Sequence, residues 1–409
     1  MLLAVIGGGA GGLVCALVAA RLGIKVVLLE KTDRCGHKLA LTGGRKCNFS
    51  HAESPRAMAA RFDAPAGLLL PLLKRFPYQR IVDLFASLGI GSRVDSAGCI
   101  WAAGANAALV RDRLVQAVVA AGVSIRTGAA VRELKPGWEV VLADQTVLRC
   151  DSVCLATGGA SYPQTGSTGD GLRLAAQLGI STTPWFAALA SLQTKTDLNE
   201  LAGISHPQVR MAVLADGRVL KETTGHFLFA HQFVTGSGVL NLCGYAARAL
   251  LTGQNVQLRI DWVPDKSHEA LRSGLTAACK ASPKARVTTI LRMLVSRRLG
   301  ARLVAESGIP ADRRACQLNR SELDSLVRVL KSTVWEVTGT EPLARATVSG
   351  GGIRLEEIDL NRMAVKRLTG LYCIGELLDT WAETGGYNLH FAWSTAIAAA
   401  EAVSGRSYD

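Results

Sequence analysis

The chain opens with a short apolar run, Leu2 to Ile6, bounded by glycines, which predicts a buried strand. Gly7 to Gly12 read as a turn, Leu13 to Leu22 as a helix stopping near Gly23, and Lys25 to Glu30 as a second strand. Together they make a βαβ unit of about thirty residues. An alanine-rich helical pattern covers 105–121 and stops at Gly122. Short strand patterns follow at Val123–Arg126, Val131–Leu134, Glu139–Leu142 and Val147–Cys150. Val153–Ala156 reads as another buried strand and 170–178 as a helix. The pattern changes after Pro184. Short β-like pieces and turns run to about 260, and a helical stretch occupies 262–331. Strand-like text returns at Ala346–Ile353 and Gly370–Cys373, and Leu389–Val403 closes the chain as a helix. No internal repeat is visible.

With 409 residues, 49% of them hydrophobic, the chain is long enough for two or three domains and a sizeable core. The first twenty residues are apolar enough to imitate a secretion signal, but no basic segment precedes them and five are glycines in a turn. The apolar stretch 63–73 is too short to span a bilayer. The expectation is a cytoplasmic protein without membrane attachment. The ten cysteines are scattered and form no CxxC, so no zinc ribbon, dithiol pair or other metal site is expected. The formal net charge is +13, and it is not evenly spread. Residues 262–331 hold 14 Lys and Arg against 6 Asp and Glu, a net +8, which makes an anionic partner such as RNA an open alternative there.

The chemistry concentrates at four motifs. Gly7-Gly8-Gly9-Ala10-Gly11-Gly12 is a GxGxxG between strand and helix. Gly7 permits the turn, Gly9 admits the pyrophosphate of a dinucleotide, and Gly12 allows close helix–strand contact; the N–H groups of Ala10 and Gly11 open the helix toward the phosphates. Glu30 ends the second strand, where an acid accepts from ribose hydroxyls, and Lys31 follows it. The second motif, Arg34 to Asn48, carries Lys38, Thr42, Gly43, Arg45 and Asn48, cations and donors that suit a diphosphate. The third, Thr157-Gly158-Gly159, follows a buried strand and brings the chain back against the nucleotide. Ala130 and Val131 are placed with the same contacts. In the fourth, Gly375-Glu376 offers a carboxylate to ribityl hydroxyls. Gly385-Gly386-Tyr387-Asn388 opens the last helix, whose N–H groups can face a flavin edge. Motifs at both chain ends favour FAD over NAD.

Together these residues resemble the YhiN/BaiN-like family of bacterial NAD(P)/FAD-dependent flavoproteins. The counterparts are Gly7–Leu13, Lys38–Asn48, Thr347–Ile353, Gly370–Trp393 and, in the insert, 226–240. Val239 stands where the family has proline, and Thr380–Thr384 replace its Asp-containing stretch. The resemblance implies an α/β fold: a Rossmann-type FAD-binding domain of the glutathione-reductase-like kind, with a β-rich insert and a small helical insert. The expected divisions are 1–185 with 342–409 for FAD, 186–261 with 332–341 for the β-rich insert on the substrate side, and 262–331 for the basic helices.

The expected function is an FAD-dependent oxidoreductase moving hydride between flavin N5 and a small organic substrate, with NAD(P)H binding transiently or O2 as the second reactant. The alternative is reduction of uridine to dihydrouridine in ribosomal RNA, with the partner held by residues 262–331. Tyr387 and His231 are candidate catalytic polar groups, as is His390, although a lone His or Tyr is more often a satisfied structural residue. Cys47 is the candidate proton donor to a uridine carbon, against the reading that it is a buried structural thiol. With no second GxGxxG between the FAD elements and no CxxC, a disulfide reductase with its own NADPH domain is not expected.

Overall fold

The computed structural model describes residues 1–408, which fall into two compact units: 1–186 with 343–408, and Ala187–Pro342.

The first unit is built on a seven-stranded sheet. Leu2–Ile6 lies inside it, parallel to Lys25–Leu29 on one side and to Ser152–Leu155 on the other. Ser124–Arg126 extends one edge and Leu371–Cys373 the other, both in parallel. The near-continuous Val, Ile and Leu content of these strands follows from burial on both faces, as a parallel sheet requires. Ala364–Val365 and Ile358–Asp359 finish the sheet in antiparallel fashion. The fingerprint helix Ala10–Arg21 packs on the closing helix Tyr387–Ser404, so the two chain ends share one core. Both helices are rich in alanine at buried positions, and the first adds a buried glycine, Gly12, which lets their backbones approach closely. Two three-stranded antiparallel sheets flank this core, one of Asn48–His51, Cys99–Ala103 and Gly91–Val94, the other of Val131–Lys135, Glu139–Leu142 and Val147–Arg149. Helices Ala66–Arg75 and Tyr78–Ser87, which the apolar stretch near 63–73 did not announce, bury leucines and phenylalanines in the same core.

The second unit is a closed six-stranded barrel with attached helices. Its interior is aromatic: Phe227, Phe229, Trp262 and Trp335 pack with ring centroids 4.9 to 6.4 Å apart. Strict alternation along Thr333–Thr340 sends Thr333, Trp335 and Val337 inward and Val334 and Glu336 outward. The short β-like pieces expected between Pro184 and 260 prove to be an 11-residue strand, Ser205–Ala215, and a 12-residue strand, Arg218–Phe229. They are followed by a 15-residue helix, Ser237–Leu251. Gly238 and Gly225 explain the close seat of that helix, because a Cβ on Gly225 would stand 3.0 Å from the Gly238 nitrogen. No helix among the described residues is long and apolar enough to cross a membrane.

Candidate cofactor site

The glycines of the fingerprint divide by what surrounds them. A Cβ on Gly7, whose φ is +106°, would lie 2.4 Å from the Ala156 carbonyl oxygen. One on Gly12 would lie 1.9 Å from the Gly7 oxygen. Both glycines therefore serve close backbone packing. Gly9 is different: nothing stands within 4 Å of the position its Cβ would take. Gly9 is the N-cap of Ala10–Arg21, and no side chain caps that helix. Its first-turn N–H groups, including those of Ala10, Gly11 and Gly12, have no intrahelical acceptor. A bare helix N-terminus behind an open glycine is an arrangement that can take a diphosphate. Glu30 closes the turn. Its Oε2 accepts from the Gly8 N–H at 2.8 Å, and its Oε1 accepts from the Thr32 N–H and hydroxyl, both at 2.8 Å. Lys31 pairs with Asp170 at 2.6 Å, at the start of Asp170–Gln177. The N–H of Ala129 donates to the Glu30 carbonyl, which brings Ala130 alongside this turn, while Val131 starts the neighbouring antiparallel sheet.

The second and fourth motifs, more than three hundred residues apart in sequence, meet in space. Asn48–His51 runs along the first turns of the closing helix. The Trp393 indole donates to the Phe49 carbonyl at 3.0 Å, Ser50 Oγ lies 2.8 Å from His390 Nδ1, and His51 Nδ1 lies 3.1 Å from the Gly385 carbonyl. Gly385 and Gly386 have φ of +132° and +94°. A Cβ on Gly386 would fall 2.5 Å from Asn48 Oδ1 and 2.6 Å from the Ser50 carbonyl, so only glycine fits. The closing helix has no side-chain cap. The approach to Asn48 bends through positive φ at Gly43, Gly44, Arg45 and Cys47, with Thr42 Oγ1 donating to the Leu39 carbonyl at 2.7 Å. Arg45 and Lys46 project from this bend, exposed and without a side-chain partner among the described residues.

Glu376 joins three of the motifs. Its carboxylate accepts from the Ser349 N–H at 2.8 Å, from Ser161 Oγ at 3.3 Å and from Lys38 Nζ at 2.8 Å. Gly159 packs against it, since a Cβ there would sit 2.8 Å from Glu376 Oε1. Gly158 turns with φ +70°, and Gly375 with φ +66° donates its N–H to Thr395 Oγ1. Glu376 thus organises protein as well as offering an acceptor. The Asn388 side chain is committed to the backbone of Ala382, accepting from its N–H at 2.9 Å and donating to its carbonyl at 3.0 Å. Of the groups expected at Asn388, only its backbone N–H is left open to a ligand.

The residues fit FAD. Two polar atoms at the motifs, Asn48 Oδ1 and Thr157 Oγ1, are buried without a hydrogen-bond partner. Such atoms are costly unless a ligand meets them. They accompany two uncapped helix N-termini, an open Gly9 and unpartnered Arg45 and Lys46. The donors among these suit a diphosphate and a ring edge that becomes anionic, and Asn48 Oδ1, an acceptor, suits an N–H or a hydroxyl of the same group.

The candidate catalytic residues fare less well. Cys47 has no exposed surface, and burial pushes its thiol up to about 11. A thiol that touches no open space delivers no proton to a substrate, which removes Cys47 as donor. His390 is also fully buried. Its Nε2–H donates to the Phe76 carbonyl at 3.0 Å, its Nδ1 accepts from Ser50, and burial holds its pKa down at about 4. His390 is a neutral structural tie. Tyr387 is 3% exposed, stacked on His51 with centroids 4.7 Å apart and faced by the Arg61 guanidinium. Burial raises its phenol well above the tyrosine range despite Arg61, so it stays neutral. Arg61 in turn pairs with Glu53 at 2.6 Å and Glu383 at 3.4 Å. Burial pulls Glu53 upward, but Arg61 outweighs it and holds the carboxylate below its ordinary range. This His51, Glu53, Arg61 and Tyr387 cluster was not legible in sequence, because its members lie on unrelated motifs. His231 is exposed, in the turn before the barrel strand Val234–Thr235 of the second unit.

The basic helices of the second unit use much of their charge internally. Arg298 donates to the carbonyls of Glu200 and Ala202 at 2.9 and 3.2 Å. Arg302 pairs with Glu200 and Glu306, Arg313 pairs with Glu322, and Arg314 donates to the Lys284 carbonyl. Arg286, Arg292 and Arg297 have no side-chain partner among the described residues. The expected arginine surface is therefore smaller than its sequence count.

Residues 1–402 match the HI0933-like protein Rossmann-domain family. The chain belongs to this family. Among its HI0933-like relatives, the 3-dehydro-bile acid delta(4,6)-reductase of Clostridium scindens is 30% identical over 406 residues, 98% of each chain. The ribosomal RNA dihydrouridine synthase of Escherichia coli is 30% identical over 97% of this chain and 96% of its own. Among solved structures, a 3-ketosteroid delta1-dehydrogenase from Sterolibacterium denitrificans superimposes with a TM-score of 0.53 at 13% identity, covering 98% of this chain and 99% of that one, a likeness of fold. The HI0933-like chain is a flavoprotein oxidoreductase with a Rossmann-type FAD-binding domain.

Proposed function

We propose that the chain reduces a carbon–carbon double bond conjugated to a carbonyl in a small organic molecule, with NAD(P)H as the electron source. The observation that carries this reading is the end-to-end similarity to a reductase whose named substrate is a 3-dehydro bile acid, together with a first unit whose motifs fit FAD. The overall change adds one hydride and one proton across the double bond. FAD, when bound, supplies the two-electron carrier between the nicotinamide and the substrate.

The chain's own residues hold and orient. The first-turn N–H groups at Gly9–Gly12 would take the diphosphate, with Arg45 and Lys46 adding charge. Glu30 would accept from the ribose. Backbone N–H groups from Gly386 to Asn388, at the positive end of an 18-residue helix, would stabilise negative charge at the ring edge. The Glu53–Arg61–Glu383 network fixes Tyr387 and the glycine pair beside it, so these act as positioning residues.

A second reading rests on the relatives in Escherichia coli and Haemophilus influenzae, both named ribosomal RNA dihydrouridine synthase, the latter 29% identical over 98% of each chain. The bond chemistry is the same, since the uridine C5–C6 double bond is conjugated to a carbonyl. The internal use of Arg298, Arg302, Arg313 and Arg314 favours the small substrate. The test is anaerobic. NADH or NADPH is added to the purified yellow protein, flavin bleaching is followed, and the bleached protein is offered a 4-en-3-one steroid or unmodified ribosomal RNA. Return of the colour with the enone, and a saturated product, supports the proposal. Return with RNA alone supports the second reading, and bleaching by neither nucleotide removes NAD(P)H as donor.

A further inference from the structure

The outer wall of the barrel, entirely within the second unit, carries a cavity of about 660 Å3. Its floor is set by strand register. Ser205–Ala215 lies between Arg218–Phe229 and Val256–Asp261, with Arg210 opposite Asp261 and Ala212 opposite both Arg259 and Glu222. The two-residue period puts Arg210 and Ala212 on the same outward face, while Met211 and Val213 belong to the other. Ala212 ends at a methyl group, so the wall dips there between longer side chains. The rim comes from the segment Pro264–His268, which leads into the helix His268–Ala281, and from Lys331 and Ser332 at the end of Arg320–Lys331.

The charges in this cavity do not cancel. Asp261 is the cross-strand neighbour of Arg210 and its natural partner. It is instead held by Lys331 at 2.6 Å, and Lys331 Nζ also donates to the carbonyls of Val263 and Lys266. The other carboxylate, Glu222, faces Arg259 at 3.6 Å. Both acids are thus neutralised. The side chains of Arg210 and Lys266 are left without a hydrogen bond or ion pair among the described residues. Ser267 caps the 14-residue helix by accepting from the Ala270 N–H, which leaves its own hydroxyl proton free, and the positive end of that helix adds to the same field. A concave wall with two unopposed cations and a hydroxyl donor suits a phosphate. The volume lies within the ~300–1,000 Å3 of small-molecule sites.

We propose that this cavity binds a phosphorylated ligand of mononucleotide size, with Arg210 and Lys266 on the phosphate. This reading does not depend on the reaction assigned to the flavin. The phosphate can come from a free nucleotide or from an RNA strand, and the experiment separates them. Full-length protein with its flavin saturated, so that the cofactor seat is filled, is titrated calorimetrically with ADP, inorganic pyrophosphate and a short single-stranded RNA. Binding of ADP and pyrophosphate is expected, weakened ~10-fold or more in Arg210→Ala and in Lys266→Ala with the flavin spectrum unchanged. If either alanine variant loses thermal stability, Arg210→Lys and Lys266→Arg serve instead and should retain binding. RNA binding that is lost in the same variants, with ADP inert, keeps the site and names the strand as its ligand. No binding of any of the three probes, or binding that both alanine variants leave intact, overturns the proposal.

Discussion

Acidification should loosen the closing helix, and the size of the effect follows from His390. The imidazole is fully buried, donating to the Phe76 carbonyl and accepting from Ser50, and its pKa is held at about 4 against an ordinary 6.5. The native state therefore resists a proton that the unfolded chain takes up readily. A depressed histidine pKa contributes stability that is fully present above about pH 6.5 and is lost as pH falls toward 4. At 1.36 kcal/mol per pKa unit the full loss is about 3 kcal/mol, of which about 2 kcal/mol is gone by pH 5. The assay is hydrogen exchange of the peptides covering Tyr387–Ser404, in flavin-saturated protein at pH 7 and pH 5, corrected for intrinsic exchange rates. His390→Gln keeps an amide donor for Phe76 and cannot take the proton. The wild-type opening free energy should fall by about 2 kcal/mol more than that of the variant between these pH values. Equal pH dependence in the two proteins would refute the reasoning, because the histidine would then not be the group that titrates.

Other consequences are as direct. Gly9→Val, with open space at its Cβ, should keep the fold and the melting temperature of the flavin-free protein while abolishing flavin retention; a fully yellow variant contradicts the placement. Gly12→Ala forces its new carbon onto the Gly7 oxygen and should destabilise the chain by about 1–3 kcal/mol, read from denaturant midpoints. Lys331→Met strands Asp261 in a site where the two side chains are 7% and 11% exposed, and should cost the second unit about 3–5 kcal/mol in urea unfolding. Arg292→Glu with Arg297→Glu should leave small-enone reduction unchanged, whereas Arg298→Ala should lower thermal stability by freeing the carbonyls of Glu200 and Ala202.

The sequence displayed the cofactor-binding unit because its motifs are short, local and glycine-rich. Gly7 and Gly12 announce their packing roles through spacing, and the apolar strands beside them admit few other readings. The contact between Asn48 and Gly386 was not visible, since nothing local relates residues so far apart, although each motif was separately recognisable. The helix Ser237–Leu251 hid behind a Gly-Ser-Gly run that reads as a turn. The barrel was hidden because closure depends on register between strands, not on composition within them. Cys47 lies in a motif that suggests chemistry, yet its alternative reading as a buried thiol is the one the structure matches, because the positive-φ bend around it turns the side chain into the core. Charge counting misled in a similar way: an arginine's sequence position does not say whether it meets solvent or a backbone carbonyl, as Arg298 does.

The central claim is that the two chain ends together hold one FAD, and cofactor release tests it most directly. The purified protein is denatured, the released chromophore is identified by mass and absorbance, and its amount is compared with the protein. One FAD per chain, freed without proteolysis and absent from Gly9→Val, is the expected result. A folded wild-type protein that is colourless and takes up no added FAD would contradict the account.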